Sequence, residues 1–355
     1  MRLWPVPAPE ARGARWTGQR HIPRGLAILA ALLLLPLAHA QEPLKLGIIG
    51  LDTSHVIRFS ELLNDPSRKD RVPGAVIVAA FKGGSPTIPE SADRIEGFTQ
   101  EATTKYHVKL AASIPELCGQ VDAVLILSVD GRQHLEQVRP VFAAKKRVFI
   151  DKPLAGSLRD AKEIAKLSRE SGVPFFSCSS ERFTAMVLNL KNDPGIGHVE
   201  GAITFGPSPL AGYLPDLFWY GIHSVEMLYA LMGPGCERVA RVHTEGADSV
   251  VGTWKEGRIG EIRGLRSSPR TYGAVVFGSK KVAVSGNLAN PAEKEPANAN
   301  YHALVEEIVK FFHTGNPPVP NAETLEVLAF MEAADLSRRR NGAPVALREV
   351  MEDGK

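Results

Sequence analysis

Arg147-Val148-Phe149-Ile150-Asp151-Lys152-Pro153-Leu154-Ala155 joins a short apolar run to a lysine followed by proline. Arg147 to Ile150 reads as a buried strand, and Pro153 biases Lys152 toward extended backbone, so the lysine stands at the strand's C-terminal end. Similar apolar runs occur at Leu44–Ile49, Ala75–Phe81, Ala123–Leu127 and Val173–Phe176. Helical periodicity lies between them, at Thr53–Leu63, His134–Ala144 and Leu158–Ser171. Asp52, Thr53 or Ser54 would cap the first helix. Strands alternating with amphipathic helices predict an α/β half with right-handed crossovers, a Rossmann-like doubly wound parallel sheet over residues 41–176. Open sheets of this kind bind ligands beyond the carboxyl ends of their strands, where Lys152 stands.

The pattern changes after residue 177. Val199–Phe205, Val239–Val242, Asp248–Trp254, Gly260–Leu265 and Thr271–Val284 read as strands with few helices between them. A mainly antiparallel sheet in an α+β domain over 177–355 is expected. Helices are expected at Gly221–Leu231 and Tyr301–His313, and a polar, proline-rich surface loop at 286–300.

The first forty residues differ from this body. Five arginines precede the uncharged run Gly25–Leu37, and Ala38-His39-Ala40 follows it. A basic start, a short apolar stretch and a small-x-small site describe a signal peptide over 1–40, and hence an exported, periplasmic or secreted protein. The run is shorter than a membrane span requires, so no span is expected once the signal is removed. The leader carries roughly +4 of the formal charge of +3, which leaves the body near neutral. A body of that charge offers nothing to nucleic acid. Three cysteines without short-range pairing make no disulfide framework, and no metal motif is present.

A dinucleotide fingerprint would read G-x-G-x-x-G after the first strand, but Gly50-Leu51-Asp52-Thr53-Ser54-His55 keeps only the first glycine. Asp52 would bring a carboxylate to the place of the cofactor's pyrophosphate, a repulsion on the order of 1–4 kcal/mol, or would cap the helix instead. No acidic ribose ligand ends the second strand. Lys82 and Ser85 stand there, suited either to a 2′-phosphate or to a solvated turn.

The Asp151-Lys152-Pro153-Leu154-Ala155 run resembles the Glu-Lys-Pro-Leu-Ala motif of the glucose–fructose oxidoreductase/inositol dehydrogenase/rhizopine catabolism (Gfo/Idh/MocA) family. Gly47-Ile48-Ile49-Gly50, the loop Ser128–His134 and the tail from Val305 to Ser337 are similar to that family as well. The resemblance implies a divergent exported member: an NAD(P)-dependent oxidoreductase, using NAD or NADP on a sugar, polyol or cyclitol hydroxyl, and forming a homo-oligomer. It puts the cofactor on the glycine loop (Gly50, Asp52, Thr53, Ser54), on Lys82 and Ser85, on Ser128 and His134, and on Lys152. It makes Lys152 and His223 catalytic, although Trp219 replaces the family's Asp four residues before the histidine. His223 would then need Asp216 or Glu226 to orient its ring. Arg182, Asp216, Trp219 and Tyr220 are the substrate-binding candidates that follow.

Blander readings stand beside these. Arg182 suits a surface pair with a glutamate, Phe218–Tyr220 an ordinary core cluster, and His55 and His134 structural roles. Two other functions fit the fold: a cofactor-free carbohydrate-binding protein, and an NAD-assisted glycosidase or lyase that oxidises its sugar transiently.

Overall fold

The computed structural model describes residues 42–267, 271–285, 288 and 299–352. The signal-peptide segment 1–40, and the expected loop from 286 apart from residues 288, 299 and 300, lie outside them. The first sheet has six parallel strands: β1 (Leu44–Ile49), β2 (Ala75–Phe81), β3 (Lys109–Leu110), β4 (Ala123–Ile126), β5 (Arg147–Ile150) and β6 (Phe175–Phe176). Their spatial order is β3-β2-β1-β4-β5-β6, so the order in which strands are added reverses between β1 and β4. Apart from the exposed edge strand β3, the strands are mainly apolar without alternation because helices cover both faces: α1 (His55–Asn64), α2 (Pro89–Ala92), α3 (Ile95–Thr104), α4 (Ile114–Gln120), α5 (His134–Ala143) and α6 (Leu158–Ser171). Helix α6 shows how local sequence sets its bounds. Ser157 accepts the Asp160 N–H at 3.1 Å, and Gly172 ends the helix at φ 68°.

The second sheet has seven strands: β7 (Val199–Pro207), β8 (Cys236–His243), β9 (Ala247–Trp254), β10 (Ile259–Leu265), β11 (Gly273–Gly278), β12 (Val282–Val284) and β13 (Val345–Ala346). It is antiparallel apart from the β7–β10 pair. The expected strand Thr271–Val284 is a hairpin. Gly278-Ser279-Lys280-Lys281 turns the chain, with the Gly278 N–H on the Lys281 carbonyl at 3.0 Å. The remaining helices are α7 (Ala185–Lys191), α8 (Gly221–Met232), α9 (Ala299–Thr314), α10 (Asn321–Arg339) and α11 (Leu347–Glu352).

Helix α9 belongs to the second half by sequence but to the first sheet by packing. Leu304, Val305, Ile308, Phe311 and Phe312 share a core with β1, β2, Phe149 and Phe176. Phe311 meets Phe176 edge-on at 5.0 Å. The other face of the first sheet shares one core with α8, α10 and the second sheet. Residues from Glu42 onward therefore form one compact unit. Phe311→Ala should cost about 3–5 kcal/mol, the usual loss for a buried phenylalanine, read from the urea midpoint of the whole unit. A change below about 1 kcal/mol would mean that α9 is not part of this core.

Candidate active site

The carboxyl ends of β1, β4, β5 and β6 converge, and the start of α8 closes over them. Lys152 follows β5, after a buried Asp151 and before a cis bond to Pro153. Its ammonium lies 5.3 Å from the Trp219 ring and 5.6 Å from the Tyr220 ring. Such cation–π contacts contribute about 0.5–2 kcal/mol and leave the N–H donors available. Among the described residues the ammonium makes no ion pair. Burial, offset by Asp151, lowers its pKa from the ordinary lysine value.

His223 sits in the first turn of α8, 9 % exposed, with Nδ1 2.6 Å from Ser179 Oγ. Burial first, and then the charge of Lys152, hold its pKa well below the usual histidine value, so the ring is neutral near pH 7. Tyr220 and Tyr272 meet it edge-on at 5.6 and 5.8 Å. Neither acid expected from sequence orients it. Asp216 pairs with Arg241 at 2.9 Å and with Arg338, and Glu226 pairs with Arg182 at 2.8 Å. Ser179 does so instead, because β6 delivers its loop against α8.

A second pair lies beside this one. His55 Nδ1 is 2.7 Å from Asp151 Oδ2, and Tyr301 from α9 closes on the His55 ring edge-on at 5.0 Å. Burial pushes the Asp151 carboxyl up, but His55 and then Lys152 hold it below the ordinary aspartate value. Burial also raises the Tyr301 hydroxyl to about 12. Sequence reasoning passed over Ser179, Tyr272 and Tyr301. They come from distant segments and belong to no motif, so no local signal marks them.

Arg182 is 7 % exposed, between Glu226 and Glu323. Burial opposes its charge, but the two glutamates raise its pKa above the ordinary arginine value. The expected surface pair is thus a buried triad, and the expected substrate contact is an internal clamp. Asp216 likewise lies in the Arg241 network. Phe218 is wholly buried, whereas Trp219 and Tyr220 face Lys152.

The remaining cofactor candidates divide. Lys82 pairs with Glu96 at 2.6 Å on the surface. Thr53 is buried and Ser54 exposed; Ser54 precedes α1 with no side-chain cap, and the expected cap by Asp52 does not form. Asp52 is fully buried and accepts the Val129 N–H at 3.1 Å and the Ser91 hydroxyl at 2.7 Å. Ser85 Oγ donates to Asp130 at 3.0 Å and takes a bond from Gln133. Gly50, at φ 91°, packs on Ser128 so closely that a Cβ would lie 2.3 Å from Ser128 Oγ. His134 is wholly buried, with Nε2 2.9 Å from the Ser128 carbonyl and Nδ1 3.0 Å from the Pro153 carbonyl, so it ties two loops together. Among the described residues, no group of acids, histidines and cysteines is placed to hold a metal, and all three cysteines are buried and free.

Residues 58–178 match the model of an oxidoreductase family with an NAD-binding Rossmann fold, GFO_IDH_MocA. The matched segment begins after the glycine loop and includes Lys152. A 1,5-anhydro-D-fructose reductase from Ensifer adhaerens is 42% identical over 67 residues, 18% of this chain and 20% of that protein. The match thus spans about a fifth of the length of that relative. The fold is similar to myo-inositol 2-dehydrogenase from Lactobacillus plantarum (TM-score 0.72, 16% identity, 86% of this chain and 99% of that one). It is also similar to scyllo-inositol dehydrogenase from Lactobacillus casei, solved with NAD(H) and scyllo-inositol (TM-score 0.71, 13% identity, 86% and 100%).

The two ends of the site differ in how they would receive NAD or NADP. Lys152 and His223 suit the reacting end, with a free ammonium and a neutral imidazole. The phosphate end does not fit, because Asp52 fills it with a buried carboxylate whose bonds are already made. If Arg182 is an internal clamp, Arg182→Ala should cost about 3–5 kcal/mol by leaving two buried carboxylates without their partner. Urea unfolding checks this; a substrate contact would lose ligand affinity at unchanged stability.

Proposed function

We propose that the chain is a divergent, exported relative of the Gfo/Idh/MocA oxidoreductases whose site binds and polarises a hydroxyl of a sugar, polyol or cyclitol. One observation carries the reading: a buried lysine that makes no ion pair among the described residues, held over two aromatic faces, stands close enough to the buried His223 for its charge to act on that ring. Aromatic faces suit the C–H surface of a sugar ring, and the ammonium suits an oxygen that gains negative charge. In the tautomer whose Nδ1–H donates to Ser179 Oγ, His223 keeps Nε2 as the acceptor for a substrate hydroxyl proton. Lys152 then holds the oxygen left behind. Oxidation of the carbon would also release a hydride, and the phosphate end does not fit the dinucleotide that would accept it. The alternative of a carbohydrate-binding protein without cofactor is favoured by the same Asp52 geometry.

Lys152→Ala and His223→Ala should each lower kcat/KM at least about 100-fold on any sugar or polyol substrate, with the melting temperature retained. Full activity in both would place the site elsewhere. Since the histidine pKa is depressed, its base form persists below pH 6.5 and is lost only as pH falls through that lower value. Since the lysine pKa is also lowered, the ammonium is lost at less alkaline pH than usual. The pH profile should be level through pH 7, bend down on the acid side below pH 6.5, and bend down on the alkaline side before the ordinary lysine value is reached; loss of activity already on acidification to pH 7 would exclude His223 as the base.

Export rests on residues 1–40, and a homo-oligomer is supported by the exposed Val242, Ile259 and Val282 on the second sheet. Protein recovered from the periplasm or medium of an expressing bacterium should begin at Gln41. Retention of the first forty residues would turn the segment into an anchor.

A further inference from the structure

We infer that the crevice where the strand order reverses seats no nicotinamide dinucleotide, because the chain's own Asp52 occupies the place of the pyrophosphate and bolts the crevice shut. The reversal falls between β1 and β4, and a dinucleotide needs the loops after these strands to stand apart. Here they are joined. Asp52 Oδ1, from the β1 loop, accepts the Val129 N–H of the β4 loop at 3.1 Å, and Gly50 lies directly against Ser128.

The loop after β2 closes the remaining side. Past the end of β1, the Gly50 and Leu51 N–H groups bond to the carbonyls of Phe81, the last residue of β2, and Lys82 at 3.0 and 2.8 Å. Ser91 donates its hydroxyl to Asp52 Oδ2 at 2.7 Å and accepts the Ser85 N–H at 2.7 Å. Ser85 Oγ reaches across to Asp130 at 3.0 Å. Asp52, Ser85, Asp130 and Ser128 are all less than 5 % exposed. Polar groups that would greet phosphate and ribose oxygens are therefore spent on one another. A ligand entering here would have to break this network and lay a doubly negative group beside a buried carboxylate.

The inference rests on the site reading only for the substrate end, and the two fail separately. Calorimetric titration of the purified full chain with NAD⁺ and NADP⁺ to 1 mM, with assay of the denatured protein for retained dinucleotide, should show neither binding nor retention. Binding of either below about 100 µM, or a retained equivalent, overturns it. Asp52→Gly removes the carboxylate and should gain at least tenfold in NAD⁺ affinity over the wild type. If that variant unfolds, Ser91→Ala frees one arm of the bolt and should give a smaller gain. A folded Asp52→Gly chain that still ignores NAD⁺ overturns the role given to Asp52. Titration of wild type and Lys152→Ala with inositols and sugars tests the substrate end alone: binding that needs Lys152, without dinucleotide binding, supports both readings. Absence of polyol binding defeats the site reading and leaves the crevice result to stand on its own titration.

Discussion

Parallel pairing of β1 with both β2 and β4 is the constraint on which the rest of this molecule depends. It brings every carboxyl end in the first sheet to one edge and makes the loops after β1, β2 and β4 neighbours. Each loop then carries buried polar groups that need partners in the absence of water. Asp52, Ser91, Ser85 and Asp130 supply those partners to one another. His134 does the same between the β4 and β5 loops, with its ring nitrogens on carbonyls from both.

The fold treats its buried cations in two ways. Arg182 and Arg241 are buried among two and three carboxylates, respectively, where each charge is compensated. Such clusters hold segments in register and leave no donor for a ligand. Lys152 is the contrast, desolvated and facing aromatic rings. Where an enzyme is to act on a hydroxyl, the useful cation is the one that the fold has not neutralised.

Much of the fold was legible because its signals are local. Strand β1, helix α6 and the lysine at the end of β5 stand where apolar runs, caps and the proline indicate. The hairpin β11–β12 was read as one strand because its turn, Gly278 to Lys281, interrupts the apolar pattern only briefly. Of the site candidates named from sequence, Lys152, His223, Trp219 and Tyr220 are brought together by the structure. Asp216 and Arg182 misled because an isolated charged residue reads alike whether it faces a ligand or an ion pair supplied by a helix more than a hundred residues away.

The sequence by itself determined that a Rossmann-like sheet precedes an antiparallel one, that a lysine ends the fifth strand, and that the glycine loop departs from a dinucleotide fingerprint. Each follows from the order of residues within a short window, which periodicity, proline and glycine reveal directly. Only the tertiary structure decided that Asp52 bridges two loops rather than capping α1, that Ser179 orients His223, and that Tyr301 from α9 closes on His55. The physical reason is common to all three: a buried polar atom bonds to whichever group the packing brings within about 3 Å, and that group lies far away along the chain.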